Sequence, residues 1–313
     1  MTGSPPPLAF LTTYDAIPGE AVRLSPLVQR VLCPNPGPFT FTGTNTYVLG
    51  DREVVVVDPG PADEGHVDAI VRAVAGRPVV AIVLTHTHAD HSPAAALLQA
   101  RTGAPTYGFG PHPEPALPPM EPPDPDRPDT THEGADRDFR PDLLLADGAT
   151  VTVEGWHLDV VHTPGHIANH LCYSVREEAT LLTGDHVMGW STSVISPRDG
   201  DLADFLASCE RILDRGEGTY LSAHGEVMRD PHAYVRSLVD HRHHRTRQVL
   251  EVLADGPGDV GSIVALLYPG LDDRLVRAAK ATITSHLLLL QRQGQAVADG
   301  LPSFTTVWAL ADR

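Results

Sequence analysis

A wholly apolar run, Val79-Val80-Ala81-Ile82-Val83-Leu84, opens directly into Thr85-His86-Thr87-His88-Ala89-Asp90-His91, so three imidazoles and a carboxylate crowd the end of one segment. An unbroken apolar run of that length, followed by the helical pattern Pro93 to Ala100, reads as a buried strand. In an extended backbone alternate side chains share a face, which lets His86 and His88 reach one cation together. Asp90 and His91 lie where the chain turns toward the helix and can reach a second. The same arrangement recurs at three other strand-like ends: His166 in Thr163-Pro164-Gly165-His166, Asp185 in Thr183-Gly184-Asp185-His186, and His224 in Ser222-Ala223-His224-Gly225. Imidazole nitrogen and carboxylate oxygen are the ligands that borderline divalent metals take. The inventory fits two adjacent ions.

Around these motifs, β-branched runs bounded by turn residues predict strands over 46–49, 54–57, 79–84, 151–153, 158–161, 171–175 and 180–182. Glu64 to Ala75 puts Val67, Ile70, Val71 and Val74 on one helical face. The last part is helical, over His232–Ala254, Asp259–Tyr268 and Asp272–Gln293, and Gly294 is followed by a predicted hairpin from 296 to 310. Helix, helix, helix, hairpin is the order of a winged-helix module. Charge supports a boundary: residues 1–231 hold 14 basic and 32 acidic side chains, while 232–313 hold 9 and 8. We therefore expect a catalytic domain over 1–231 and a winged-helix-like domain over 232–313. Between Pro111 and Asp142, ten prolines and nine carboxylates predict an extended surface insertion, either a lid or a passive loop.

Composition excludes several classes. Hydrophobic residues at 42% and charged ones at 20% belong to a globular chain rather than a disordered or fibrous one. No run is long and apolar enough for a bilayer-spanning helix, and Met1 to Phe10 lacks the basic and apolar regions of a secretory signal, so no membrane is expected and the expected address is the cytoplasm. Cys33, Cys172 and Cys209 are too few and too scattered for a disulfide framework, and should be buried and reduced. A formal charge of −17 opposes wholesale attraction to a polyanion.

The motifs resemble the metallo-β-lactamase superfamily of metal-dependent hydrolases, from Gly43-Thr44-Asn45-Thr46-Tyr47 through Val57-Asp58-Pro59-Gly60 to Ala223-His224-Gly225. The subfamily most similar is the lactamase-beta-2-like group. The resemblance implies an α+β chain, an αββα sandwich followed by a small winged-helix domain. It implies that His86, His88 and His166 hold a first metal, that Asp90, His91 and His224 hold a second, and that Asp185 bridges them. Asp58 matches a carboxylate that orients a ligand imidazole through its other ring nitrogen. Zinc is the expected ion of the pair, and the ligand set also accepts manganese or iron. A water between two such ions loses its proton near neutral pH, with Asp90 holding and orienting the hydroxide.

Departures from other branches narrow the expectation. Asp185 stands where exported β-lactam hydrolases commonly carry cysteine, and His88 stands where the redox-active di-iron branch typically has glutamate. The expected activity is therefore hydrolysis of a thioester or carboxylic ester on a small or carrier-linked molecule. Two alternatives stand beside it: a phosphodiesterase on single-stranded RNA, and a partner-docking protein acting through the winged helix. His241 to Arg247 is the most basic short segment and favours the RNA reading, while the acidic catalytic part disfavours nucleic acid. His170, in Asn169-His170, and Arg242 are candidate substrate contacts. Arg242 falls within the apolar stripe Val235, Leu238, Val239, Val249, Leu250, Leu253, so it should be buried, and an interdomain ion pair is its expected partner. The unmatched histidines, His157, His162 and His186 among them, are expected to be packed or solvated.

Overall fold

The computed structural model describes residues 8–121 and 134–311. Two large sheets face each other. The first runs in chain order: β1 (Ala21–Arg23), β2 (Val28–Leu32), β3 (Asn45–Leu49), β4 (Val54–Val57), β5 (Val79–Val83), β6 (Thr106–Gly108) and β7 (Leu143–Leu144). The second contains β8 (Thr150–Val153), β9 (Trp156–His162), β10 (Leu171–Val175), β11 (Thr180–Gly184), β12 (Thr219–Ser222) and β13 (Met228–Arg229), ordered β13-β12-β11-β10-β9-β8.

Strand alternation builds the layers. Val55 and Val57 of β4 point into the core between the sheets, with Ala81 and Val83 of β5 beside them and Leu158, Leu171, Tyr173 and Leu182 opposite. Val54, Val56 and Ile82 point the other way, onto α1 (Glu64–Val74) and α2 (Ala94–Thr102). Cys172, Leu181 and Tyr220 cover the far face of the second sheet and meet α3 (Leu202–Leu213). Helix, sheet, sheet, helix is the result.

In the first sheet β4, β5, β6 and β7 run parallel, and in the second β11 and β12 do. β9 lies antiparallel to β10, as β11 does, and so shares the direction of β11 and β12. The carboxyl ends of these strands carry Asp58, the His86 motif, the turn to His166, Asp185 and His224. Topology alone brings them to one rim. There the sheets are tied together, since the Leu171 amide donates to the Thr85 carbonyl at 2.7 Å and the Tyr173 hydroxyl to that of Leu84 at 2.6 Å.

After the sandwich come α4 (Pro231–Ala254), β14 (Gly258–Asp259), α5 (Val260–Leu267), α6 (Val276–Arg292), β15 (Ala296–Ala298) and β16 (Val307–Leu310), with a small sheet ordered β14-β16-β15. This is the winged-helix arrangement. Asp259 caps α5 by accepting from the Ser262 amide at 2.8 Å. α4 serves two cores: Val235 and Leu238 pack on the sandwich, whereas Val249 and Leu253 pack with Ile263, Leu287 and Trp308.

The described parts of the insertion are irregular, as its composition predicts. Residues 122–133 lie outside the described residues, but both flanks are anchored. Met120 is buried in the winged-helix core, and its carbonyl accepts from the Phe304 amide at 2.9 Å. Gly134 and Asp136 bond the metal-motif loop, through Ala89 N–H to Gly134 O at 2.9 Å and Asp136 N–H to Thr87 O at 3.0 Å. A proline-rich composition forbids a helix but not a strap held at separate points.

Candidate metal centre

His86 and His88 leave the end of β5 two residues apart, and His166 follows the β9 turn. Their ring nitrogens meet: His88 Nδ1 lies 2.9 Å from His86 Nε2 and 3.0 Å from His166 Nε2. Gly165 makes this approach feasible, because a Cβ there would sit 2.3 Å from the Cα of Phe205 on α3, and its φ is +142°. Beside this triplet lies a second. Asp90 Oδ2 is 3.3 Å from His91 Nε2 and 3.2 Å from His224 Nε2. Asp185 stands between the groups, with Oδ1 3.4 Å from His224 Nε2, and Oδ2 3.7 Å from His91 Nε2 and 3.9 Å from His166 Nε2. All seven side chains are buried.

The opposite ring nitrogens fix the tautomers. His91 Nδ1 donates to Asp58 Oδ2 at 3.0 Å, His166 Nδ1 to the Val194 carbonyl at 2.6 Å, and His224 Nδ1 to the Gly43 carbonyl at 3.1 Å. The Thr85 hydroxyl spends its proton on Asp58 Oδ2 at 2.6 Å, so it accepts from His86 Nδ1 at 3.0 Å. In neutral imidazoles each of the four Nε2 atoms then presents a lone pair inward. His88 Nδ1 can donate to only one of the two lone pairs it faces; a cation among the three nitrogens satisfies them all. In the second group His91 Nε2, His224 Nε2 and both oxygens of Asp90 and of Asp185 are buried without a hydrogen-bond partner. Donor types, tautomers and orphaned atoms fit two divalent ions.

Electrostatics agree. Burial, and the neighbouring His91, His88 and His166, hold His86 well below the usual imidazole range. Burial opposes charge on His224 too, but Asp185 and Asp90 raise it to about 10, and Asp90, Asp185 and Asp58 likewise draw His91 well above its ordinary value. Burial pushes both Asp90 and Asp185 upward, and His91 and His224 more than offset it, leaving both carboxyls well below the usual range. The second group is a strongly cation-attracting field.

The other candidates sit differently. His170 is buried with both ring nitrogens engaged: Nδ1 with the Thr163 hydroxyl at 2.8 Å, and Nε2 accepting from the Asp185 amide at 3.2 Å. Its ring packs behind that of His86, centroids 5.2 Å apart, and its Nε2 holds the backbone of Asp185. Arg242 is 2% exposed, but the expected ion pair is absent: among the described residues no carboxylate lies within 4 Å. Its Nη2 donates to the Ser193 carbonyl at 2.5 Å and its guanidinium lies over the Phe205 ring at 5.3 Å, because α4 packs that turn against a neutral loop.

Two residues escaped the sequence reading. Asp199 Oδ2 lies 4.0 Å from both His88 Nε2 and His112 Nε2, and His112 Nδ1 is 3.0 Å from the Thr87 hydroxyl. Beside Asp199 and Gly165 opens a cleft of about 390 Å³, walled by Leu117 of the insertion, Leu202 of α3 and Leu288 of α6.

The profile of the Metallo-beta-lactamase superfamily matches residues 39–224, more than half the chain. The chain belongs to that superfamily. A Beta-lactamase associated winged helix domain matches residues 260–305. Among curated relatives, an atrochrysone carboxyl ACP thioesterase of Aspergillus chevalieri is 33% identical over 239 residues, 75% of this chain and 68% of the relative. A beta-lactamase-like protein 2 homolog of Drosophila melanogaster is 28% identical over 285 residues, 87% and 90% of the two chains. The solved structure of a beta-lactamase domain protein from Burkholderia ambifaria superposes with a TM-score of 0.77 at 21% identity, covering 95% of this chain and 96% of the other. The fold is thus that of the superfamily, sandwich and winged helix together. No helix among the described residues is long and apolar enough to cross a membrane.

Proposed function

We propose that this protein hydrolyses a thioester or related carboxylic ester on a small or carrier-linked molecule, using two divalent ions. The observation that carries the reading is the pair of buried ligand groups joined through Asp185. The thioesterase name of a 33% identical relative supports the bond class. His86, His88 and His166 would hold one ion, Asp90, His91 and His224 the other, and Asp185 would touch both; zinc is the ion we expect. Bound there, the ions would supply Lewis acidity and a hydroxide at neutral pH.

The chain's own residues do the rest. Asp58 fixes the His91 ring, and the Val194 and Gly43 carbonyls fix those of His166 and His224. Asp90, with neither oxygen committed to a hydrogen bond, would hold and orient the attacking water. The apolar walls of the 390 Å³ cleft would seat the acyl part of the substrate next to His88 and Asp199.

The winged helix does not support the RNA alternative in its ordinary form. Its second motif helix, α6, is the one that enters a nucleic-acid groove in helix-turn-helix proteins. Here not one residue from Val276 to Leu290 is exposed, and Ser285 and Leu289 pack on the sandwich. The deciding assay incubates metal-loaded protein with an acyl-thioester panel, a phosphodiester chromogen and labelled single-stranded RNA. We expect turnover of thioesters, reduced in His88→Ala by more than the roughly 10–100-fold typical of changes behind the ligands. Thioester turnover unaffected by His88→Ala, or turnover of RNA alone, would overturn the reading.

A further inference from the structure

A second cavity, of about 250 Å³, lies between the 188–194 loop and helices α4 and α6. Arg242, Arg245, His241 and Trp190 line it, and among the described residues not one carboxylate does, in a chain with 40 acidic side chains against 23 basic. Buried arginines are ordinarily paired, since an uncompensated charge in a protein interior is costly. Arg242 is 2% exposed with no carboxylate within 4 Å among the described residues, and it gives Nη2 to the Ser193 carbonyl. Its Nε is buried without a partner. Arg245 repeats the pattern: the guanidinium stacks 4.2 Å over Tyr268, one Nη reaches the Leu267 carbonyl at 3.4 Å, and Nε has no partner. The indole N–H of Trp190 is also buried and unpartnered. Two positive charges and three donors without a partner thus belong to the residues of this wall, and no carboxylate stands among the described residues that line it.

We infer that this cavity is an oxyanion-binding site, separate from the metal centre, which takes the phosphate or carboxylate of an organic molecule against Arg242, Arg245 and Trp190. A planar guanidinium matches such an oxyanion, and hydrogen bonds to a charged acceptor are the strong ones. Phe39 and Leu271 line the same cavity and suit an apolar body attached to the anion. The site adjoins the metal centre through one loop: Ser193 also donates to the Asp185 carbonyl at 2.6 Å, and the carbonyl of Val194 holds His166. An anion seated on Arg242 would brace the loop that positions two ligands. The chemistry can come from a phosphate within a carrier's pantetheine arm or from a free small anion. Only the first source rests on the thioester reading; the site itself does not.

The test is binding, not turnover. Inorganic phosphate, 4′-phosphopantetheine and pantetheine are titrated at constant ionic strength into the full chain, metal-loaded and metal-stripped, while tryptophan fluorescence and the melting temperature are followed. Trp156 and Trp308 are buried in cores away from this cavity, so Trp190 carries the optical change. We expect saturable binding of both phosphate compounds with or without metal, at least about tenfold tighter than pantetheine, and weakened about tenfold or more by Arg242→Met and by Arg245→Gln. Arg245 is only partly buried, so Arg245→Gln keeps the test open if Arg242→Met fails to fold. Tighter binding of phosphopantetheine than of phosphate assigns the site to a carrier arm, and equal binding assigns it to a free anion. Binding that vanishes with the metals, survives both substitutions, or never saturates overturns the inference.

Discussion

At the scale of single residues, the cluster is governed by where each imidazole keeps its proton. His86 is held neutral, whereas His224 has been raised to about 10 by Asp185 and Asp90. At neutral pH His224 therefore carries a proton that an incoming cation must displace, and metal uptake releases it. The sign follows: affinity rises with pH and continues to rise until the solution approaches the raised value, while acid favours release. Calorimetric titration of zinc in buffers of differing ionisation heat should show proton release near pH 7 and tighter binding at pH 8 than at pH 6; a pH-independent affinity would contradict it. The ligand set was legible in the sequence because each member follows an apolar strand and precedes a turn, a local signature. Asp199 and His112 have none. One sits in a surface-like Pro-Arg-Asp-Gly turn and the other between prolines, and only the docking of those segments brings them toward His88.

At the scale of elements, the insertion shows why composition misleads. Ten prolines and nine carboxylates average to a solvated loop, yet a single apolar residue, Met120, decides where its first flank goes. Around it Arg277 pairs with Glu121 at 2.6 Å, and the Ala116 amide donates to the Arg198 carbonyl at 2.6 Å. The strap thus binds the winged helix to the loop that carries Asp199. Met120→Ala should cost about 2–4 kcal/mol through the cavity it leaves, measured by denaturant unfolding. Zinc affinity should stay within about twofold, because no ligand touches Met120. A loss below about 0.5 kcal/mol would mean the strap is not held by that side chain. The helices and hairpin of the winged module were readable from periodicity and from caps such as Asp259. The burial of α6 on every side was not, since its second apolar face becomes visible only when the partner surface is known.

The whole molecule inverts the lesson of the charge profile. The step in charge near residue 231 suggests two separable units, and α4 begins at Pro231. Packing runs across that line. Val235 and Leu238 of α4, with Leu289 of α6, close the sandwich over Val187, Ile195, Phe205 and Cys209, while the other end of α4 belongs to the winged-helix core. Arg292 adds an ion pair to Asp201 at 2.5 Å, and Ser285 donates to the Ile195 carbonyl at 2.8 Å. Charge is a surface property and follows solvent, whereas cooperativity follows shared apolar cores. One helix common to both cores makes unfolding of either half expose the other, so the chain should melt in a single calorimetric transition. Metal bound at the rim then stabilises the whole by mass action. Zinc loading should accordingly slow amide hydrogen exchange in α5 as well as in β5, although α5 touches no ligand. A chain ended at Asp230 should be insoluble, for the face left by α4 and α6 is apolar. Two resolved melting transitions, with zinc moving only one, would show that the halves are independent after all.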